Sequence, residues 1–306
     1  MEPVLVIHGI GNRDQHAWSQ EVQELEERFE TVTGNSTFQF IPVYWGDLAA
    51  HTENLDACMP DLEPAPSFSV PRVNPQNAKV TDLLNLINRL PAIVAAPIKA
   101  QLEAALNQVA GDAVRSYLAQ QYQTARVSNR HMITTSLGDI MVYQRNQAAI
   151  QGRVWEVLKA FDVRKMGYGT SRKSVHVVAH SLGGVIAVDT IIRGKLPLHA
   201  KSLTTFGSQF PYFHLVDPRP TVPAYTGEPI VMPPQLKRWI NLWEPLDPLS
   251  FVASKMFQLS SGKPVTDIQV HPEGGMTELL QGYHYTHGIY WQTRELLDAL
   301  KENLLK

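Results

Sequence analysis

Val177-Val-Ala-His-Ser-Leu-Gly-Gly184 is the stretch whose reading decides the fold. The β-branched run Val175-His-Val-Val178 predicts a strand over residues 174–179 that runs straight into Ser181. A helix is expected at once, over Gly183 to Arg193. Val185, Ile186, Val188, Ile191 and Ile192 make it apolar nearly all round, which suits a helix buried against a sheet. Ala179 and Gly183 stand two positions on either side of the serine. A sharp strand-to-helix turn needs small residues there, because the serine adopts a strained backbone and its neighbours crowd together. Such a turn lifts the hydroxyl above the sheet. It also puts the amide of Leu182 at a helix N-terminus, where it can donate to an oxyanion.

Outward from this turn, strands and helices alternate. Val4-Leu-Val-Ile7 reads as a buried strand ending in the tight turn His8-Gly-Ile-Gly11. Asp14 to Thr33 reads as a helix with Trp18, Val22, Leu25 and Phe29 on one face, closed by Gly34-Asn35. Phe38 to Trp45, Leu203 to Phe206, Arg238 to Leu242 and Ile268 to His271 read as further strands. Gly138 to Phe161 reads as a helix, and Leu279 to Leu305 contains the last one. Asp139 either caps its helix or supports the loop beside the serine turn. Pro211 to Pro234 reads as a Pro-rich loop. The alternation predicts an α/β fold with a mainly parallel sheet of about six strands flanked by helices.

Residues 47–136 break the pattern. Pro60, Pro64, Pro66, Pro71 and Pro75 mark a loop, and two amphipathic helices follow, through Val80–Leu90 and Ile98–Val109. This segment is expected to be an inserted helical cap, with residues 1–46 and 137–306 forming the core domain.

The 306 residues include 44% hydrophobic and 18% charged, a globular balance, and the formal net charge is -2. No broad basic surface is expected, and so no nucleic-acid partner. The single cysteine, Cys58, rules out an internal disulfide and reads as a small packing residue or loop thiol. Residues 1–7 show no basic n-region or cleavage site, so no signal peptide is expected and the location is expected to be cytoplasmic. The uncharged stretch between Arg89 and Lys99 holds Pro91 and Pro97 and is too short for a membrane span, which takes about 20 residues. No zinc or phosphate-loop pattern is present; His176 and His180, four apart on a strand, do not make a metal face.

The serine turn resembles the nucleophile elbow of the α/β-hydrolase superfamily, in the His-Ser-Leu-Gly-Gly form common in lipases and esterases, with Ala179 in place of the usual first glycine. Val6-Ile-His-Gly-Ile-Gly-Asn12 resembles the His-Gly oxyanion loop of that superfamily. The resemblance covers the sheet-forming segments and not residues 46–136. It implies a nucleophile, an acid and a base in the chain order Ser, Asp or Glu, His. A chain that begins on a strand is expected to lack the first two strands common in the superfamily.

Within that order, Asp247 is the favoured acid. It follows the strand Arg238–Leu242, at the end where a carboxylate holds the tautomer of an imidazole. Glu244 is its rival and Asp217 a poorer one. His287, before a glycine, is the favoured base, with His284 and then His271 as alternatives. The second oxyanion donor is the amide of Ile10 or of Gly11, with Ile10 preferred. Gly9 and Gly11 allow close backbone approach, and His8 orients the loop. In the cap, Leu86, Leu90, Ile93, Val94 and Ile98 either line an acyl pocket or, as preferred, bury the cap's own small core. Their apolar character favours a hydrophobic or lipid-like small-molecule ester and permits loose contact with a membrane surface. The expected chemistry is ester hydrolysis through an acyl-enzyme, without cofactor or metal. Thioester or amide hydrolysis uses the same groups. A hydrolase-fold binding module is the reading from another class.

Overall fold

The structure, a computed structural model, describes residues 1–51, 111–271 and 283–306, and of these only the backbone for 111–133 and 283–285. The chain divides into two compact units, residues 1–51 with 135–306, and residues 52–134. The helices expected through Val80–Leu90 and Ile98–Val109, the apolar set Leu86 to Ile98, and Cys58 lie outside the described residues.

Six strands form one parallel sheet. β1 (Glu2–Ile7), β2 (Phe38–Val43), β3 (Val175–His180), β4 (Ala200–Phe206), β6 (Trp239–Trp243) and β8 (Thr266–Gln269) lie in the order β2-β1-β3-β4-β6-β8. Every neighbouring pair is parallel. A parallel sheet is covered on both faces, so its central strands are largely apolar. In β1, Val4 and Val6 point to one side while Leu5 and Ile7 point to the other, and all four are buried.

Helices α1 (Gln15–Thr33) and α6 (Arg294–Leu305) cover the first side, with Trp18, Val22, Leu25 and Phe29 packed in one cluster with Leu296, Leu300 and Leu304. Asp14 caps α1 through bonds from His16 N (2.8 Å) and Ala17 N (3.0 Å), and Gly34 ends it in the left-handed region. The second side is covered by α3 (Leu182–Ile192) and by part of α2 (Gly111–Phe161), whose Tyr143, Ile150, Val154 and Leu158 join Val185, Ile186 and Ile191. The near-complete apolar circumference of α3 reflects burial of all its residues. Among the described residues, no helix is long and apolar enough to cross a membrane.

Several local expectations need correction. The segment read as a Pro-rich loop holds α4 (Phe210–Val216), with Pro211 in its first turn, where a missing N–H costs nothing. It also holds β5 (Ile230–Val231), which pairs with β7 (Phe257–Gln258) in a separate two-stranded sheet. Strands of two residues are too short to show a period. Helix α2 begins at Gly111 rather than Gly138, so Asp139 lies mid-helix and cannot be an N-cap. The last helix does lie within Leu279–Leu305, as expected, and starts after Thr293, whose hydroxyl accepts from Leu296 N. His287 belongs to the preceding short helix α5 (Tyr283–Gly288), which passes into a 3₁₀ turn, Ile289–Gln292.

The helical layer formed by α6 is expected to be as sensitive as any core. Leu300→Ala, at a fully buried position, should cost about 2–5 kcal/mol in urea denaturation. A loss well under 1 kcal/mol would show that the layer is loosely packed.

Candidate active site

All six strands of the sheet run the same way, so the segments that follow β1, β3, β4 and β6 leave from one edge, as is usual for ligand sites in open α/β sheets. Ser181 sits between β3 and α3 with φ 55° and ψ -128°. A non-glycine residue at such an angle costs on the order of 1–3 kcal/mol and persists only where its surroundings over-determine it. They do so here. Ser181 N donates to Phe206 O (2.9 Å), and Ser181 O accepts from Gly184 N (2.9 Å). A Cβ on Gly183 would stand 2.5 Å from Ile7 O and 2.6 Å from His8 O, and one on Gly9 would stand 2.6 Å from Ser181 Cβ. The two glycines let the end of β1 press against the turn.

His287 Nε2 lies 2.8 Å from Ser181 Oγ, and His287 Nδ1 lies 2.9 and 3.0 Å from the two carboxylate oxygens of Asp247. The carboxylate can only accept, so Nδ1 carries the proton and Nε2 is left to accept from the serine hydroxyl. Ser181, His287 and Asp247 are all buried. The favoured acid and base are therefore brought together with the serine.

Glu244, Asp217 and His271 are not. Glu244 turns back on its own loop and accepts from Leu246 N (2.7 Å); burial raises its pKa. Asp217 pairs with Arg219. His271 is exposed beside Glu295. The side chain of His284 lies outside the described residues.

Asp247 is held by a hydrogen-bonded turn. Its amide donates to Glu244 O (3.1 Å), and Ser250 Oγ donates to Glu244 O (3.0 Å) and Asp247 O (3.1 Å). Its carboxylate also accepts from Leu249 N (3.0 Å) and from Tyr290 Oη (2.8 Å). Burial and the adjacent Asp247 push the Tyr290 hydroxyl well above its ordinary value, so it remains a donor.

Sequence reasoning missed Tyr290. The available signal was its position three residues after His287, which places both on one face of a helical turn. Gln209 was missed too. Its Nε2 donates to Gly207 O (2.7 Å) and Leu249 O (2.9 Å) and stands 3.4 Å from Ser181 Oγ. It thus ties the end of β4 to the Asp247 loop.

Leu182 opens α3, where the first amides have no intrahelical acceptor. Gly11 N is already committed to Asp139 Oδ2 (2.9 Å), which leaves the amide of Ile10 as the loop's candidate donor. His8 stacks on Trp45 (centroids 4.9 Å apart). Its Nε2 accepts from Trp45 N (3.1 Å), so its Nδ1 carries the hydrogen given to Gly9 O (2.7 Å). It is a neutral post that fixes the loop, and burial lowers its pKa to about 4. His180 donates from Nε2 to His287 O (2.8 Å) and packs against the rings of Phe206 and Trp291. Desolvation lowers its pKa to about 3. Among the described residues, no cluster of His, Cys, Asp or Glu is arranged to hold a metal ion.

Two outcomes are expected. His8 and His180 stay neutral in the native state but protonate below pH 6.5 once unfolded. The unfolded chain then binds more protons, so stability is complete above about 6.5 and is lost as pH falls toward 4. The slope reaches up to ~3 kcal/mol per pH unit for the two groups together. Urea titrations at pH 7, 6 and 5 measure it, and a flat profile would contradict the neutral assignment. Second, Gly207 has φ 57°, and a Cβ there would lie 3.0 Å from Tyr290 and 3.3 Å from both Asp247 Oδ2 and His287 Cε1. Gly207→Ala is expected to disturb the Asp247–His287 pair and destabilise the chain by about 1–3 kcal/mol, read by thermal melts.

No protein-family model matches this chain, and no curated protein matches it either.

Proposed function

We propose that the chain is a serine hydrolase that cleaves a carboxylic ester through an acyl-enzyme on Ser181. The observation that carries this reading is the single row of hydrogen bonds from Ser181 Oγ through His287 to Asp247, assembled from three distant parts of the chain. A nucleophile, a base in contact with it, and a third group that orients the base are the requirements of nucleophilic catalysis.

In this mechanism Ser181 Oγ attacks the ester carbonyl carbon as its proton passes to His287 Nε2. The carbonyl oxygen becomes an oxyanion held by the amides of Ile10 and Leu182, each worth about 2.7–4 kcal/mol in the transition state. Asp247 stabilises the imidazolium and keeps its ring in place. Nε2 then gives its proton to the leaving alcohol oxygen as the C–O bond breaks. A water molecule repeats the attack on the acyl-enzyme, delivering its proton to His287 and releasing the acid with Ser181 restored. His287 meets every proton transfer, so the chemistry calls for no cofactor. The apolar side chains between Leu86 and Ile98 favour a hydrophobic or lipid-like acyl group.

A fluorophosphonate probe tests the reading. Stoichiometric labelling of the wild-type chain, lost in Ser181→Ala, is the expected result, together with hydrolysis of p-nitrophenyl esters that Asp247→Asn lowers by roughly 10⁴ in kcat. A folded wild-type chain that takes no label and cleaves no ester overturns it.

A further inference from the structure

We propose that Asp139 is a positioning residue for the oxyanion loop, acting with Arg13 as its counter-ion; this rests on the hydrolase reading above. Asp139 is 0% exposed, a carboxylate buried in the middle of α2, far from the start of that helix. Its two oxygens accept four hydrogen bonds from outside its own helix. Oδ2 takes Gly11 N (2.9 Å) and Arg13 Nη1 (3.1 Å); Oδ1 takes Arg13 Nη2 (2.6 Å) and Ala50 N (3.0 Å). Arg13 Nη2 also donates to Ala50 O (3.1 Å). The approach of the two segments is close: a Cβ on Gly138 would stand 2.7 Å from Ala50 Cβ.

Burying a carboxylate is costly unless donors satisfy it, and this one is satisfied by two backbone amides and a bidentate guanidinium. A structural anchor alone would not have to draw on the oxyanion loop. Here the loop is clamped on both sides of the donor. Gly9 is pinned against Ser181 Cβ, and Gly11, at φ 78°, has its amide turned onto Asp139. The Ile10 amide between them has little freedom left. Preorganisation of this kind is what makes an oxyanion donor effective, because nothing must reorient as the charge develops. Arg13 has a second effect. An unpaired carboxylate one residue beyond the donor would oppose the negative oxyanion, and the guanidinium cancels that field.

The test compares wild type, D139N and R13L on p-nitrophenyl butyrate, with a trifluoromethyl ketone of the same acyl chain as inhibitor. The ketone forms a tetrahedral adduct with the serine, so its Ki reports the oxyanion donors. In D139N one acceptor oxygen becomes an NH₂ facing donors. Its kcat is expected to fall about 30- to 100-fold, KM to stay within about twofold, and Ki to rise by the same factor as kcat falls. R13L keeps the carboxylate and changes a partly exposed side chain; it is expected to show the same pattern at about fivefold. If D139N does not fold, R13L decides. Unchanged kcat in the folded variants, or a fall in kcat that Ki does not follow, overturns the proposal while leaving the hydrolase reading intact. A wild-type chain that hydrolyses no ester and leaves Ser181 unlabelled overturns both.

Discussion

The turn at Ser181 constrains everything else at the sheet edge. A serine at φ 55° is held there by β4 on one side, through its amide, and by the end of β1 on the other, through the glycine contacts at positions 9 and 183. β1 and β4 are the two immediate neighbours of β3 in the sheet. The strain in the turn is therefore borne by three central strands at once. Its cost, on the order of 1–3 kcal/mol, is small against the burial of every residue of α3 just beyond it. The same crowding sets the His8–Gly11 loop beside the serine, so one local conformation positions both the hydroxyl and the backbone around it.

Parallel strands turn this local feature into a site. Ser181, Gln209 and Asp247 follow β3, β4 and β6, and His287 follows β8 at a greater distance along the chain. Hydrogen bonds between these segments then hold their spacing. Gln209 links the end of β4 to Leu249 O, His180 holds the backbone of His287, and Tyr290 fixes Asp247 from the far side. The two histidines flanking the serine, His8 and His180, take no charge at neutral pH because burial holds their pKa values down.

Much of this was legible in the sequence because its signals are local. The strand-to-helix turn shows in the small residues around Ser181, and the two-sided burial of β1 shows in its unbroken apolar run Val4–Ile7. The choice of Asp247 over Glu244 rested on position after a strand, and the structure supplies the reason: the Glu244 carboxylate is spent on Leu246 N. What escaped is long-range. Gln209 acts on a segment 28 residues away, and nothing in its immediate neighbours reveals the partner; Asp139 bonds a segment 128 residues away, in keeping with the second of its two readings, support of the loop beside the serine turn. Its other reading, as a helix cap, failed in a specific way, because Gly-Asp followed by an apolar pattern looks like a helix start, whereas the helix already runs from Gly111.

The surroundings of Asp247 say what its carboxylate is for. It is buried and accepts from His287, from the Leu249 amide and from a tyrosine hydroxyl that cannot ionise at neutral pH. Each of these donors holds the carboxylate in place. In the hydrolase proposed above, its part is to keep the imidazole ring aimed at Ser181 and to balance the positive charge when Nε2 accepts the serine proton. Tyr290 and the 244–250 turn add nothing to that charge; they keep its position constant, and the geometry of the whole row depends on that constancy.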